Sequence, residues 1–330
     1  MLKRWHILAG AVLVVLVPAV GLRIHRLTHR PMVSLRSQPT SAPSLPSLPR
    51  DYVAEPMVDP AERELGPMRL ISLAPSITEV VHALGLGSRM VGRTPYCLWP
   101  PGVETVPAVG ALTDPNYELI RSLRPGLVLI TSNSVQVAAG LERLGLTYCT
   151  VPHDTLDDVF RAIEVVGRTC ERPRSAESLN AAIRADLETM RQWAASWQGR
   201  RWRVLVALGE LPVPPRSVWA AGPGSFLDDL LRMAGQANAA REVLKVSHGE
   251  IPLTTLQMLD PEVIIEFGKP RSDETLRELY RSWPDVGRLQ AIEQQRVRRV
   301  GDEQWLSAGP RIAITLHRLI TALAVADPRE

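Results

Sequence analysis

The sequence predicts an α/β protein with two similar lobes joined by one long α-helix. Three observations predict this fold: a strand–helix pattern that opens the globular part, a helix–proline–strand pattern that occurs twice, and an uninterrupted amphipathic segment between the two copies. The chain has 330 residues, of which 45% are hydrophobic and 22% are charged. This composition is sufficient for two domains of ordinary size with a substantial core.

The first thirty residues predict a signal anchor. Residues 7–22 carry no charge and follow Lys3 and Arg4, which together give the basic and apolar regions of an export signal. The first cysteine is Cys97, which excludes a lipoprotein signal. We expect an uncleaved anchor over residues 1–30 with the remaining chain outside the cytoplasm. The alternative is a cleaved signal that releases a free protein.

Residues 31–66 predict a linker. The segment is rich in serine and proline, as in SQPTSAPSLPSLP, and such a composition buries too little apolar area to fold by itself. We therefore expect a semi-rigid tether between the anchor and the globular part.

Charge, cysteine spacing and motif content exclude several classes of function. The net charge is only +3, and five basic residues lie in the first thirty, so the rest has no basic face for nucleic acid. The three cysteines are far apart and form no CxxC pair, which excludes a zinc site and leaves either one disulfide or three buried thiols. Hydrolase, nucleotide-binding and dinucleotide-binding motifs are absent. We expect a protein that is not an enzyme and has no cofactor or metal of its own.

The N-terminal lobe is predicted over residues 67–172. An apolar run from Leu70 predicts the first strand, and Ser76 with Glu79 predicts a capping box for the following helix. A second predicted strand leads into RTPYCLWPPG, residues 93–102. This loop places a tyrosine, a cysteine and a tryptophan between prolines in a chain that is only 5% aromatic.

The repeated pattern occupies residues 117–130 and 253–266, at an offset of 136 residues. Each copy combines a short amphipathic helix, a proline (Pro125 or Pro261) that cannot continue the helix, and a branched apolar strand. Repetition at this distance predicts a second, similar lobe, which we assign to residues 200–330.

The segment between the lobes predicts a single linking helix. Residues 173–197 contain no glycine or proline after Pro173, and apolar residues recur at steps of three and four. At 1.5 Å per residue the helix would be about 35 Å long. We assign residues 173–199 to it.

The chain resembles the extracytoplasmic solute-binding proteins whose lobes are joined by one long helix and which serve cobalamin, siderophore and heme importers. The resemblance covers about residues 68–323 and is carried by RLISLAPSITEVVHALGLG, VGRTPYCLWP, AAGPGSFLDDLLRMAGQAN and SAGPRIAITLHRL, among other segments. The cobalamin-binding members are the most similar. The resemblance implies a helical-backbone periplasmic binding protein fold with a ligand cleft between the lobes. It also implies that the chain is the substrate-binding component of an ABC-type importer for a cobalamin-like corrinoid.

The resemblance and the loop composition point to six candidate ligand contacts. They are Tyr96, Trp99, Trp219, His248, Glu303 and Trp305. Prolines beside the first two rings lower the entropy cost of presenting them, and flat aromatic surface suits a corrin or a porphyrin. Leu112 and His248 stand where cobalamin-binding members carry tryptophans. His248 can ligate cobalt or iron, or bond to a side amide of the ligand.

In this family a glutamate on each lobe docks onto arginines of the membrane permease. Glu118 matches the first position, whereas Thr254 occupies the second, so the resemblance implies one-sided docking at Glu118. Two alternatives remain open. The same cleft can bind a ferric siderophore, heme or a metal, or the chain is a membrane-tethered sensor or scaffold that has lost transport. In each case we expect a monomer on the periplasmic side of the inner membrane.

Overall fold

The computed structural model describes most of the chain from residue 46 onward. The described residues are 46–62, 68–196, 200–212, 216–267, 277–279, 281, 288–301 and 303–325. The predicted signal anchor, residues 1–30, and the first part of the predicted linker lie outside them. Within the described part, no helix has the length and apolar character needed to cross a bilayer.

The N-terminal lobe is a parallel sheet with helices packed on it. Its elements are β1 (Leu70–Ser72), α1 (Pro75–Ala83), β2 (Met90–Arg93), β3 (Gly110–Ala111), β4 (Asp114–Pro115), α2 (Tyr117–Ser122), β5 (Leu127–Thr131), α3 (Val135–Arg143), β6 (Tyr148–Val151) and α4 (Leu156–Thr169). Four parallel strands form the sheet in the order β2-β1-β5-β6, and β3 pairs with β4 in a separate hairpin. Every residue of β5 is buried, as is usual for an inner strand of a parallel sheet.

The first helix starts two positions earlier than a capping box at Ser76 requires. The predicted box of Ser76 and Glu79 is wrong, because the N-cap of α1 is Ala74 and no side chain caps the helix. Pro75 occupies the first turn instead, where its missing N–H needs no partner. Glu79 is therefore free for another role, and its side chain is buried.

One helix, α5 (Pro173–Ser196), leads from the first lobe to the second. Its 24 residues correspond to a length of about 36 Å. Its buried apolar side chains recur at steps of three and four: Ala176, Leu179, Ile183, Leu187, Met190 and Ala194. This stripe gives the helix one face that packs against the core.

The C-terminal lobe has a mixed sheet. Its elements are β7 (Arg203–Ala207), β8 (Val218–Ala221), α6 (Phe226–Met233), β9 (Ala237–Asn238), β10 (His248–Ile251), α7 (Leu253–Leu259), β11 (Val263–Glu266), α8 (Gln290–Glu293), β12 (Val297–Arg299) and α9 (Ile312–Ala324). The sheet order is β10-β8-β7-β11-β12, with β9 beside β7. Strands β7, β11 and β12 are parallel, whereas β8 and β10 run antiparallel to their neighbours.

The two copies of the repeat fold in the same way. Each forms a short helix, α2 or α7, followed by an inner strand, β5 or β11. The residue before the proline has a left-handed backbone in both copies, with φ of 47° at Arg124 and 41° at Asp260. Neither residue is a glycine, so this shared turn carries no obvious signal in the sequence.

An arginine at the same place in each lobe caps these helices. Arg69, just before β1, donates from Nε and Nη2 to the carbonyl of Leu123 at 3.0 and 2.8 Å. Arg203, the first residue of β7, donates from Nη2 to the carbonyl of Leu259 at 2.8 Å. Both carbonyls lie at a helix end that lacks intrahelical partners, where a positive charge is favourable.

One apolar cluster extends through both lobes and α5. It includes Leu70 and Leu129 of the first sheet, Ile183 of α5, and Val204 and Ile265 of the second sheet. The opposite face of each sheet packs into a smaller cluster of its own lobe. The lobes therefore share a continuous core along the linking helix.

Residues 46–62 pack against this body, which differs from the linker predicted for residues 31–66. Tyr52 and Val53 are 5% and 1% exposed and belong to the shared cluster. The Tyr52 hydroxyl also donates to Asp186 of α5 at 3.0 Å. These two apolar anchors hold a segment whose serine and proline content alone predicts an extended tether.

The end of the same segment caps the linking helix. Glu62 accepts from the backbone N–H groups of Arg174 and Ser175 at 2.8 and 3.1 Å. These donors belong to the first turn of α5, where orphan N–H groups and the helix dipole favour a carboxylate. Burial acts to raise the pKa of Glu62, but hydrogen bonds from the Ser175 hydroxyl and from these two N–H groups hold the pKa below its usual value.

Candidate ligand-binding cleft

A cavity of about 720 Å³ lies between the two lobes. Most of its N-terminal wall comes from residues at or just after the carboxyl ends of the parallel strands: Ala74, Pro75, Ser76, Tyr96, Leu98, Thr131, Asn133, His153 and Asp154. The carboxyl ends of parallel strands meet at one edge of a sheet, and ligands of open α/β sheets bind there.

The C-terminal wall is formed by three segments. They contribute Phe226 at the start of α6, Ser247 and His248 at the start of β10, and Leu306, Ser307 and Ala308 before α9. The two walls meet where the N–H of Phe226 donates to the carbonyl of Asp154 at 2.9 Å. This bond joins two residues that both line the cavity.

The loop after β2, residues 94–102, forms a rim of the cavity and is called the rim loop below. Tyr96 and Leu98 line the cavity and are 66% and 62% exposed. Arg93 holds the base of the loop because its buried guanidinium donates to the carbonyls of Val103 at 2.8 Å and Glu104 at 3.0 Å. The rim loop thus presents two large apolar side chains to solvent on a fixed base.

Cys97 points away from the cavity. It is fully buried and free, and its sulfur lies 3.0 Å from Thr78 Oγ1 and 3.2 Å from Thr94 Oγ1. The residue between Tyr96 and Leu98 therefore anchors the rim loop to the lobe.

Trp99 and Trp305 lie behind the cavity walls and are not among the residues that line the cavity. Both rings contact the guanidinium of Arg311, whose carbon is 5.0 Å from the Trp99 centroid and 4.4 Å from the Trp305 centroid. Each ring is partly buried against the shared core. The structure thus separates these two candidates from Tyr96.

Trp219 lies outside the set of cavity-lining residues. Trp219 is 56% exposed on β8 and pairs with Glu250, on the sheet face shared with His248. Glu303 begins the 3-10 helix Glu303–Leu306, and its side chain lies outside the described part of the structure. Of the five predicted contacts whose side chains the structure describes, the cavity brings together Tyr96 and His248.

His248 is the titratable group of the C-terminal wall. Burial lowers the pKa of His248, the nearby Asp154 opposes this shift, and His153 adds to it. The His248 Nδ1 lies 3.1 Å from Ser247 Oγ, which orients the ring. Burial therefore favours the neutral imidazole, the form in which a histidine ligates a metal or accepts a hydrogen bond.

Several cavity residues were not singled out from the sequence. Asn133, His153 and Asp154 each follow the carboxyl end of a parallel strand. Ligands of open α/β sheets bind at these strand ends, so a search for polar residues just after each predicted strand would have found them. Leu112, which the sequence comparison had already marked, also lines the cavity, from the turn of the β3–β4 hairpin. Gly110 permits this turn, because it has φ of 94° and an added Cβ would lie 2.6 Å from a backbone oxygen.

The two residues at the docking positions are both exposed. Glu118 lies in the first turn of α2, and Thr254 lies at the equivalent place in α7. Glu118 is thus presented to solvent at a helix start, where its charge is favourable.

Other concavities differ from the cleft in chemistry. A groove of about 530 Å³ runs between α4 and α5 and is lined mainly by charged and small side chains, including Glu164, Arg168 and Arg184. No group of three or more His, Cys, Asp or Glu residues in the described part is arranged to hold a metal ion. The inter-lobe cavity has the larger volume and the aromatic walls.

Comparison with known proteins identifies the family. A family model described as "Periplasmic binding protein" matches residues 70–303. The chain belongs to the periplasmic binding protein family. The resemblance noted from the sequence is thereby confirmed, and the chain is a solute-binding protein of the ABC importer type.

Relatives of this periplasmic binding protein have modest identity over most of its length. An uncharacterized ABC transporter substrate-binding lipoprotein of Bacillus subtilis is 26% identical over 254 residues, which are 74% of this chain and 76% of that protein. A vitamin B12-binding protein of Vibrio cholerae is 25% identical over 264 residues, covering 78% and 90% of the two chains.

Among solved structures, the periplasmic heme-binding protein of Roseiflexus sp. RS-1 superposes on this periplasmic binding protein with a TM-score of 0.67. The two are 24% identical, and the match covers 79% of this chain and 99% of that one. This likeness confirms the predicted two-lobed α/β fold.

Proposed function

We propose that this protein captures a cobalamin-like corrinoid in the cleft between its lobes and presents it to the permease of an ABC-type importer. The observation that carries the proposal is the composition of the cavity walls. Exposed Tyr96 and Leu98 project from one lobe, and Phe226 and His248 face them from the other. A large planar ligand needs apolar surface on both sides and a few polar groups at its edge.

The polar groups suit a ligand with amide side chains. Ser76, Asn133, Asp154 and Ser307 line the same cavity and offer hydroxyl, amide and carboxylate partners at its edges. The vitamin B12-binding relative from Vibrio cholerae supports the choice of a corrinoid.

Heme is the second candidate ligand. A neutral, half-buried imidazole at His248 is an available iron ligand, and a heme-binding protein shares the fold. A planar porphyrin would use the same apolar walls, so direct binding measurements must separate the two.

Equilibrium dialysis of the full-length protein against cyanocobalamin, hemin and ferrichrome tests the proposal. We expect saturable one-to-one binding of cyanocobalamin, weakened about tenfold by Tyr96→Ala, because truncating a central aromatic contact typically costs 1–2 kcal/mol or more. Tyr148→Ala is the matched control, since Tyr148 lies in β6 outside the cavity lining and bonds to Glu142. Binding of hemin or ferrichrome without cyanocobalamin would reassign the ligand.

The permease contact is tested separately. We infer that Glu118 docks onto a cationic permease surface, because it is exposed at the start of α2 and matches the family position. Glu118→Ala should reduce uptake in cells while leaving dialysis unchanged, and Thr254→Glu should raise uptake by completing the pair. Equal uptake by Glu118→Ala and its parent would favour a tethered sensor or scaffold over a transport role.

We also infer that residues 1–30 tether the protein to the inner membrane on its periplasmic side. The apolar run after Lys3 and Arg4 supports this proposal. Carbonate-washed membranes should retain the full-length protein, whereas its appearance in the soluble periplasmic fraction would indicate cleavage.

A further inference from the structure

A buried ion pair joins the two lobes. Arg311, which precedes α9 in the C-terminal lobe, donates from Nη2 to Glu79 Oε1 of α1 at 2.7 Å. Each residue is only 2% exposed. The pair links positions 232 residues apart in the chain.

One tryptophan from each lobe flanks the same guanidinium. The contacts of Arg311 with Trp99 of the rim loop and Trp305 of the C-terminal lobe place a cation near two aromatic faces. Trp305 also faces Arg318 of α9 at 3.9 Å. Such contacts are strongest where water is excluded, as it is around a buried arginine. We call Glu79, Trp99, Trp305 and Arg311 the inter-lobe clasp.

The backbone is shaped to allow this approach. A Cβ added to Gly309 would lie 2.7 Å from Glu79 Oε2, which is closer than real Cβ contacts. Any side chain at Gly309 would push the carboxylate or the segment before α9 out of place. The glycine of the SAGPR segment is thus explained by the ion pair rather than by the cavity.

Stability alone does not explain a buried pair at this place. Burial raises the pKa of Glu79, and Arg311 opposes this shift. Keeping the Glu79 carboxylate charged in this buried position therefore costs free energy. Apolar residues of similar volume often stabilise a protein as well as a buried ion pair does. Elsewhere the lobe junction combines the shared apolar cluster with two directional bonds, from the N–H of Phe226 to the carbonyl of Asp154 at 2.9 Å and from the N–H of Leu156 to Asp229 at 3.1 Å. Beside the rim loop the directional bond is the ion pair of Glu79 and Arg311, and such a bond specifies orientation more sharply than apolar packing does.

Both ends of the clasp continue directly into the cavity walls. Trp99 follows Leu98 of the N-terminal wall, and Trp305 precedes Leu306 of the C-terminal wall. A shift of Arg311 would therefore move both walls relative to each other. The clasp is the direct mechanical connection between them on this side of the cavity.

We propose that the inter-lobe clasp fixes the spacing of the two cavity walls, so that Glu79 and Arg311 are positioning residues for ligand binding. The cleft is then held near its binding geometry before the ligand arrives. This goes beyond the stiffness of α5, because it assigns the spacing to named side chains across the junction.

Distances between the lobes test the proposal without any ligand. Spin labels are attached at Glu118→Cys and Thr254→Cys, which are exposed and lie one on each lobe, in a full-length background with the half-buried Cys149 changed to alanine and the buried Cys97 and Cys170 retained. The parent should give one narrow distance distribution. Arg311→Met and Gly309→Ala should each broaden or shift it.

Glu262→Gln is the matched control. Glu262 is a buried carboxylate that pairs with Arg200, but both partners lie in the C-terminal lobe at the amino ends of its strands. The control should keep the parental distribution even where its melting temperature falls. A parental distribution in folded Arg311→Met and Gly309→Ala would overturn the proposal.

The double variant Glu79→Gln/Arg311→Met covers the case in which Arg311→Met fails to fold. Removing both charges relieves the unpaired carboxylate, so folding should recover. The distance distribution should nevertheless stay broad, because the directional bond is absent. Recovery of the narrow distribution in the double variant would contradict the proposal.

A binding measurement adds a second readout, and this part rests on the proposed function. If a clasp variant occupies the binding geometry about a tenth of the time, its apparent Kd for cyanocobalamin rises about tenfold. Unchanged affinity in a variant with a broadened distribution would show that wall spacing does not govern binding. If the parent itself does not bind cyanocobalamin, the proposed ligand is wrong, and the label distances still decide the role of the clasp.

Discussion

The N-terminal and C-terminal lobes share the same arrangement of a short helix and an inner strand, but they form different walls of the cleft. In both, an arginine beside the first parallel strand caps a short helix, and a left-handed residue precedes the proline that leads into an inner strand. The N-terminal sheet is wholly parallel, and its wall comes from strand ends and the rim loop. The C-terminal sheet adds the antiparallel strands β8 and β10, which place Trp219 and His248 on one face.

This difference indicates which features belong to the fold and which belong to the ligand. Capped helices and inner strands are needed by any such lobe, so they occur twice. Tyr96 of the rim loop and His248 occur once each, in line with the proposal that a ligand meets the two walls on different faces. Glu118 and Thr254 occupy equivalent helix starts but differ in charge, so this position also differs between the lobes.

The largest expected effect tests whether the lobes are one cooperative unit. Leu129 of β5 and Ile265 of β11 are fully buried in the shared cluster. Leu129→Ala and Ile265→Ala should each lower the free energy of unfolding by about 3 kcal/mol. Chemical denaturation should show a single transition in both variants.

Met258→Ala is the control for these substitutions, because Met258 is 87% exposed on α7. Its unfolding midpoint should match that of the parent. Two separate transitions in either core variant would show that the lobes unfold independently despite the continuous core.

A smaller effect distinguishes the two helix-capping arginines. Arg203 bonds to the carbonyls of Leu259 and Asp260 and pairs with Glu242, whereas Arg69 is exposed and bonds to Leu123 alone. Arg203→Met should therefore cost about 2 kcal/mol of unfolding free energy, and Arg69→Met about 1 kcal/mol or less.

Urea denaturation of the two arginine variants provides the comparison. Arg203→Lys should recover only part of the loss, because an ammonium cannot reproduce the guanidinium fork. If Arg203→Met and Arg69→Met lower the free energy of unfolding equally, the extra partners of Arg203 add no stability.

The smallest effect concerns the charge of the C-terminal wall. The pKa of His248 lies below its ordinary value of about 6.5, mainly because the ring is buried. His153→Asn should raise this pKa, because the interaction with His153 lowers it, and Asp154→Asn should lower this pKa, because the Asp154 carboxylate raises it. NMR titration of the imidazole measures both changes, and opposite signs would contradict the described geometry.

The same shift predicts the sign of a pH effect on stability. A histidine whose pKa is lowered on folding binds fewer protons in the folded state than in the unfolded state. The contribution of His248 to stability is therefore present above pH of about 6.5 and is lost as the pH falls below that value. His248→Asn should reduce the loss measured between pH 7 and pH 5.

The sequence was sufficient for the fold because its signals are local and repeated. Pro125 and Pro261 end equivalent helices, and the uninterrupted stripe after Pro173 spans the lobes. The position of residues 46–62 could not be predicted from composition, since two side chains, Tyr52 and Val53, outweigh the surrounding serines and prolines.

The site was predictable only in part, because the direction in which a loop side chain points depends on partners that are distant in the sequence. Tyr96 and Trp99 look alike in sequence, with a proline beside each ring. Trp99 turns inward toward Arg311, which is more than two hundred residues away, whereas Tyr96 remains at the cavity. The spacing of Ser76 and Glu79 predicted a capping box, but Glu79 instead pairs with Arg311. This partner is also distant in the sequence, so the local pattern could not reveal it.

The central claim is that the cleft between the lobes binds a corrinoid, and cobalt itself reports the position of such a ligand. Crystals of the full-length protein grown with cyanocobalamin would locate the metal by its anomalous scattering at the cobalt absorption edge. We predict one cobalt per chain between the wall containing Tyr96 and the wall containing His248. A cobalt signal only in the groove between α4 and α5, or at no reproducible position, would contradict the claim.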